Sequence, residues 1–127
     1  MITQAKNILV VDDEAGLRQL LMTTLAAPEF HIIGASNGQQ ALALARELCP
    51  DLIILDVALA PEHPNGFEVC RQLKGDPRTR DSRILMLTAA TRPEDRQMAA
   101  AAGAEYYFTK PFSPRALLDY IYSALFS

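Results

Sequence analysis

Apolar residues fall into two rhythms along this chain. Unbroken runs at 8–11, 52–55 and 84–87 alternate with longer stretches in which apolar positions recur every three or four residues. Unbroken runs of this length mark strands buried on both faces, and the wider spacing marks helices with one face in a core. Residues 8–11 are thus predicted as a first strand. Residues 14–27 follow as a helix, with Leu17, Leu20, Leu21, Thr24 and Leu25 at helical spacing and Pro28 stopping it. A second strand at 30–35 has a weaker apolar run, which suits the edge of a sheet. Ser36, Asn37 and Gly38 form a turn. A helix over 39–48 ends at Cys49-Pro50, because the residue before a proline disfavours helical backbone.

The alternation continues to the end of the chain. Strands are predicted at 52–55, 84–87 and 105–109. Helices are predicted at 66–74, from Arg92-Pro93-Glu94 to a stop at Gly103, and at 114–126. The segments 57–65, with Pro61 and Pro64, and 75–82 read as loops. Glu94 and Asp95 stand in the first turn of the fourth helix, where the helix dipole favours negative charge. Five strands alternating with five helices imply an α/β fold with a doubly wound parallel sheet in three layers. Right-handed crossovers leave few topologies. The common five-stranded solution has strand order 2-1-3-4-5, with ligands bound where strands 1 and 3 end. No linker, repeat or low-complexity tract divides the chain, so 1–127 is read as a single domain.

Composition narrows the function classes. A chain of 127 residues can bury a core without disulfides or structural metal. A formal net charge of −3 argues against bulk attraction to nucleic acid or an anionic membrane. Residues 1–70 carry three Lys/Arg against nine Asp/Glu, whereas 71–127 carry nine against six, and the basic excess lies in 71–83. A solvated helix end and loop is favoured there over a docking patch for an acidic partner. Cys49 and Cys70 have neither CxxC nor zinc-ligand spacing and read as free thiols of a reducing cytosol. His31 and His63 read as surface or edge residues, and Met22, Met86 and Met98 as core or near-surface filler. No signal-peptide pattern is present, and no apolar run is long enough to span a bilayer.

The polar residues that interrupt the pattern cluster in space. Asp12 and Asp13 follow strand 1, Asp56 strand 3, Thr88 strand 4 and Lys110 strand 5, all at one edge of the sheet. Strands 1 and 3 are neighbours in the expected topology, so three carboxylates converge. Converging carboxylates raise one another's pKa unless a cation joins them, and hard oxygen ligands without His or thiolate suit Mg²⁺. A lysine across the pocket neutralises part of the remaining charge, and a threonine hydroxyl can donate to a phosphoryl oxygen. Phosphoryl transfer needs little beyond positioning and charge neutralisation, and an Asp carboxylate can serve as its nucleophile.

Four segments in register carry a resemblance. They are Ile8-Leu9-Val10-Val11-Asp12-Asp13-Glu14, Asp51-Leu52-Ile53-Ile54-Leu55-Asp56, Ile84-Leu85-Met86-Leu87-Thr88-Ala89 and Tyr107-Phe108-Thr109-Lys110-Pro111-Phe112. Together they resemble the receiver domains of two-component response regulators over essentially the whole chain. The resemblance implies a flavodoxin-like (βα)5 fold and a phosphoacceptor switch rather than an enzyme, one that assists its own phosphorylation and dephosphorylation. Asp56 would be the phosphoacceptor, with Mg²⁺, or Mn²⁺ in its place, held by Asp13 and Asp56 directly, Asp12 through water and the carbonyl of Ala58. Lys110, Thr88 and the N–H of Ala89 would contact the phosphoryl group, and Thr88 and Tyr107 would form the switch pair. The donor implied is a histidine kinase or histidine phosphotransfer protein. The output surface is roughly 93–126, facing a downstream domain or protein, and a phosphorylation-dependent homodimer is compatible with it. The resemblance further implies a cytoplasmic chain without direct nucleic-acid or membrane binding, and a cis Lys110-Pro111 bond.

Departures and alternatives stand beside it. The family places a proline four and a glycine eight residues after the acceptor, whereas Pro61 and Gly66 stand five and ten after Asp56, so the loop is two residues longer. The variable positions flanking the site are both alanine, Ala58 and Ala90, and neither side chain is expected to block or direct a hydrolytic water. Taken alone, Asp12 and Asp13 also suit a helix N-cap, Thr88 a turn, Tyr107 core packing and Lys110 a solvated charge. The competing function is a phosphorylation-independent interaction module, whose usual mark is loss of the acceptor, an acidic-pair member or the lysine; all are present. A flavin carrier or a haloacid-type phosphatase fits less well: acids follow strand 1, and Ala58 stands where such a phosphatase has a second Asp. No GxxxxGK or GxGxxG occurs. A stand-alone domain and the N-terminal piece of a longer regulator both remain open.

Overall fold

A computed structural model describes residues 5–57, 65–88 and 93–126. Five strands, β1 (Lys6–Val11), β2 (Phe30–Ala35), β3 (Leu52–Asp56), β4 (Arg83–Thr88) and β5 (Tyr106–Thr109), alternate with five helices. These are α1 (Ala15–Thr24), α2 (Gly38–Leu48), α3 (Gly66–Gly75), α4 (Pro93–Ala102) and α5 (Pro114–Phe126). All strand pairs are parallel, and the sheet order is β2-β1-β3-β4-β5. The predicted flavodoxin-like topology is the one observed, and β2 is an edge strand as its weak apolar run suggested.

Strand periodicity divides the core into two layers. Leu9, Val11, Ile53, Leu55, Ile84 and Met86 point to one face and pack against α2, α3 and α4. Their sequence neighbours Ile8, Val10, Leu52, Ile54, Leu85 and Leu87 point to the other face, against Leu21 and Leu25 near α1 and Leu117 and Ile121 of α5. Side chains alternate faces along a strand, so an unbroken apolar run is what a sheet covered on both sides requires. Each fully buried aliphatic side chain contributes about 1.5–3 kcal/mol of transfer free energy, enough to hold strand ends that carry unfavourable charge.

Helix ends follow local chemistry. Asn37 caps α2 by accepting from Gln40 N at 2.8 Å, and Asn65 caps α3 by accepting from Glu68 N at 3.0 Å. Helix α1 ends at Thr24, three residues before the predicted end at Ala27. Leu25 N bonds Leu21 O at 3.0 Å, and Ala26 N then bonds Thr23 O at 3.2 Å, a tightening that buries Leu25 before Pro28 is reached. Strand β1 starts two residues earlier than predicted because Lys6 and Asn7 pair with Phe30 and His31.

Glu105, predicted as a strand residue, precedes β5. Its N–H donates to Ile84 O at 2.9 Å, and its carboxylate accepts from Ile84 N at 2.7 Å, standing in for a strand partner. The basic stretch 71–83 is partly tied down rather than simply solvated. Lys74 Nζ reaches the carbonyls of Arg80 and Ser82 at 3.0 and 2.7 Å and Glu105 at 2.8 Å. The bonds from Arg78, with Arg46 adding to them, hold the Asp76 carboxyl down at about 2.

Cys49 closes α2 in the left-handed region, at φ 46. A Cβ there crowds the following carbonyl, at a cost of about 1–2 kcal/mol that glycine avoids. Cys49→Gly is expected to stabilise the fold by up to about 1 kcal/mol, net of the greater freedom glycine gives the unfolded chain. Urea unfolding of the two proteins checks this, and a lower midpoint for the variant would contradict it.

Candidate functional site

Strand register assembles the polar edge. Val11 pairs with Leu55, so Asp12 and Asp56 lie one step further on at the carboxyl ends of adjacent strands. Asp56 in turn pairs with Leu87, and Thr88 with Thr109 just before Lys110. Lys110 N donates to Thr88 O at 2.7 Å, and the Lys110-Pro111 bond is cis. Lys110 Nζ stands 3.2 Å from Asp56 Oδ2 and 3.7 Å from Asp12 Oδ2.

Asp12, Asp13 and Asp56 each offer a carboxylate oxygen, all within 4.8 Å of one another. Asp12 and Asp56 are buried and Asp13 is exposed. Asp12 Oδ1 accepts from Glu14 N at 2.9 Å, an Asx turn that leads the chain into α1. The N-cap of α1 is Glu14, without a side-chain cap, so the acidic pair is not a helix cap in the ordinary sense. Among the described residues, buried Asp12 Oδ2 has no hydrogen-bond partner. Burial, with the neighbouring charges of Asp56 and Asp13 adding to it, pushes the Asp12 carboxyl up to about 6 against the opposing Glu14 N–H and Lys110. An all-oxygen donor set with an unmatched buried oxygen fits a hard divalent cation.

Thr88 is buried at the end of β4, beside β3. Tyr107 is half-buried on β5 opposite Met86, with the Arg96 guanidinium 5.1 Å above its ring. Ala58 and Ala89, expected to supply a carbonyl and an N–H, and Ala90 lie outside the described residues. Two contributors escaped the sequence reading. Arg18 Nη1 donates to the Asp12 carbonyl at 2.7 Å. Gly66, noted only for its spacing, packs on Asp56: a Cβ there would lie 2.7 Å from Val57 Cα and against the Asp56 carbonyl oxygen.

Comparison with known proteins bears on the family and the fold. A family model described as the response regulator receiver domain matches residues 8–122. The phosphate regulon transcriptional regulatory protein PhoB of Pseudomonas aeruginosa is 42% identical over 113 residues, covering 89% of this chain and 48% of that protein. The DNA-binding response regulator MtrA of Mycobacterium tuberculosis is 41% identical over 118 residues, covering 93% and 50%. The chain spans about half the length of these curated relatives. Among solved structures, the chemotaxis response regulator CheY4 of Vibrio cholerae superposes with a TM-score of 0.86 at 36% identity, covering 97% of this chain and all of that one.

Two outcomes follow from the site's packing and charge. Gly66→Ala is expected to lower stability by about 1–3 kcal/mol, because the added methyl meets backbone rather than a flexible side chain; an unchanged melting temperature would exclude this contact. Asp12 binds its proton near pH 6 when folded and near its ordinary value of 3.8 when unfolded. The folded state therefore holds the extra proton between those values, and this contribution to stability grows as pH falls through the window. In EDTA, the stability difference between the wild type and Asp12→Asn is expected to shift toward the wild type from pH 7 to pH 4.5. A difference that stays constant across the window would refute the assignment.

Proposed function

The chain belongs to the receiver-domain family of two-component response regulators, and from that premise we propose that Asp56 takes a phosphoryl group from a phosphohistidine of a kinase or phosphotransfer protein. The observation that carries the reading is the Lys110 ammonium 3.2 Å from Asp56 Oδ2, beside three carboxylates gathered within 4.8 Å. A carboxylate oxygen of Asp56 attacks phosphorus, the P–N bond to the donor imidazole breaks, and the released ring nitrogen takes up a proton. Lys110 balances charge on the acceptor and then on the phosphoryl oxygens. Thr88, at the end of the neighbouring strand, supplies a hydroxyl donor.

Three carboxylates against one ammonium leave the pocket negative, which opposes the approach of a phosphoryl anion. Asp12, Asp13 and Asp56 would hold Mg²⁺ (or Mn²⁺), and the bound ion supplies the missing neutralisation. The backbone groups of Ala58 and Ala89 complete the set in the family pattern. A groove of about 380 Å³ opens beside Lys110, lined by Leu17, Leu20, Pro111, Phe112 and Pro114, and offers an apolar seat for the phosphodonor. Drawing of the Thr88 hydroxyl toward the phosphoryl group, with inward turning of Tyr107, alters the α4-β5-α5 face that meets the output partner. This is a signalling domain that assists its own phosphorylation and dephosphorylation, working in the cytoplasm. No described helix is long and apolar enough to cross a membrane.

Incubation with acetyl phosphate and Mg²⁺, followed by intact-mass measurement, is expected to show one added phosphoryl group. The adduct should disappear in EDTA and in Asp56→Asn. Mg²⁺ at ten times its dissociation constant is expected to stabilise the wild type by about 1.4 kcal/mol, and Asp13→Asn should lose most of that gain. Wild type that acquires no adduct with Mg²⁺ present would sink the phosphoacceptor reading.

A further inference from the structure

Glycine in a strand interior weakens the strand, and its presence there marks the close approach of another group. Gly34 is such a residue, the fifth of six in edge strand β2. A Cβ at Gly34 would stand 3.1 Å from Met22 Sδ and 3.3 Å from Arg18 Cδ, with Arg18 Nε at 3.6 Å. The Arg18 side chain thus leaves α1, crosses the sheet edge over this glycine, and ends with Nη1 2.7 Å from the Asp12 carbonyl oxygen.

That carbonyl is half of the peptide unit leading into Asp13. The peptide is planar, so a bond that fixes its oxygen fixes the plane from which the Asp13 Cα departs. On the other side of Asp12, the N–H donates to Ala35 O at 3.1 Å and Oδ1 accepts from Glu14 N. The Asp13 carboxylate is exposed, and among the described residues no hydrogen bond holds it. Its position within reach of Asp12 and Asp56 therefore rests on backbone geometry.

The geometry points to Arg18, admitted over the sheet edge by Gly34, as a positioning residue that sets Asp13 for a divalent cation. This rests on the metal reading above. Arg18 does not touch the cation. Its charge alone would repel Mg²⁺, so loss of charge alone predicts tighter binding, and loss of positioning predicts weaker binding. The two accounts differ in sign.

Mg²⁺ titrations followed by tyrosine fluorescence, with melting in EDTA as a separate measure of folding, test the assignment. Arg18→Met and Gly34→Val are each expected to weaken Mg²⁺ binding about tenfold. The double variant should lose no more than either single one, because both remove the same contact. Arg18→Lys, which keeps the charge and a donor, should recover part of the affinity. Should Gly34→Val fail to fold, Gly34→Ala replaces it, and a smaller loss of affinity in the same direction is expected because its Cβ meets the same Arg18 side chain. Unchanged or tighter Mg²⁺ binding in Arg18→Met would overturn the positioning role while leaving the metal site standing. Wild type that binds no Mg²⁺ would overturn the metal reading, and this inference with it.

Discussion

Repulsion among Asp12, Asp13 and Asp56, relieved only in part by Lys110, is the constraint around which the polar edge is built. Carboxylate oxygens within 4.8 Å of one another repel by roughly 3 kcal/mol per pair of charges at the screening usual near a protein surface. Lys110 approaches Asp56 more closely than Asp12, at 3.2 against 3.7 Å. The imbalance falls on Asp12, whose buried Oδ2 has no hydrogen bond among the described residues and whose carboxyl is pushed up to about 6, first by burial. Gathering these acids at the carboxyl edge of adjacent strands costs folding energy, and the proposed cation site would offset that cost.

The sheet makes that cost bearable. Strands β1, β3 and β4 carry apolar side chains on both faces up to the last residue before each polar one. Leu55 and Leu87 are buried on opposite faces, and the next residues, Asp56 and Thr88, are buried polar residues at the strand ends. Parallel register then does the assembling: because Val11 faces Leu55 and Asp56 faces Leu87, no side chain has to reach far to join the cluster. Gly66 adds a second restraint. Its backbone N–H donates to Val57 O at 3.3 Å, and its bare Cα lets α3 press against the Asp56 carbonyl.

The strands and the residues at their ends were legible in the sequence because both faces of this sheet are covered. Four consecutive apolar residues admit few other readings, and a polar residue ending such a run stands out, as Asp56, Thr88 and the Asp12-Asp13 pair do. Lys110 was legible through its place after Thr109 and before Pro111. What stayed hidden depends on contacts between residues distant in sequence. The end of α1 is set by burial of Leu25, not by Pro28. Glu105 reads as a strand residue, yet its carboxylate replaces a strand partner for Ile84. Arg18 looks like an ordinary helix-surface charge until the gap at Gly34 shows its route to Asp12. Cys49 before Pro50 signalled a helix end, but not the left-handed turn it takes.

Coupling between the pocket and the far side of the sheet has a short physical path. Lys110 and Tyr107 are on one short stretch of chain, separated by Phe108 and Thr109, whose side chains fall on opposite faces of β5. Phe108 packs with the α5 layer and Tyr107 with the layer that contains α4. Thr109 pairs with Thr88 at the pocket. On the proposed reading, a displacement at Thr88 or Lys110 would reach both layers through β5, an edge strand of four residues rather than the buried centre of the sheet. Arg96 lies over Tyr107 through a cation–π contact, an interaction of about 0.5–1 kcal/mol at an exposed site. The lysine follows the partly exposed strand β5, whereas the acids stand at the ends of the buried strands β1 and β3.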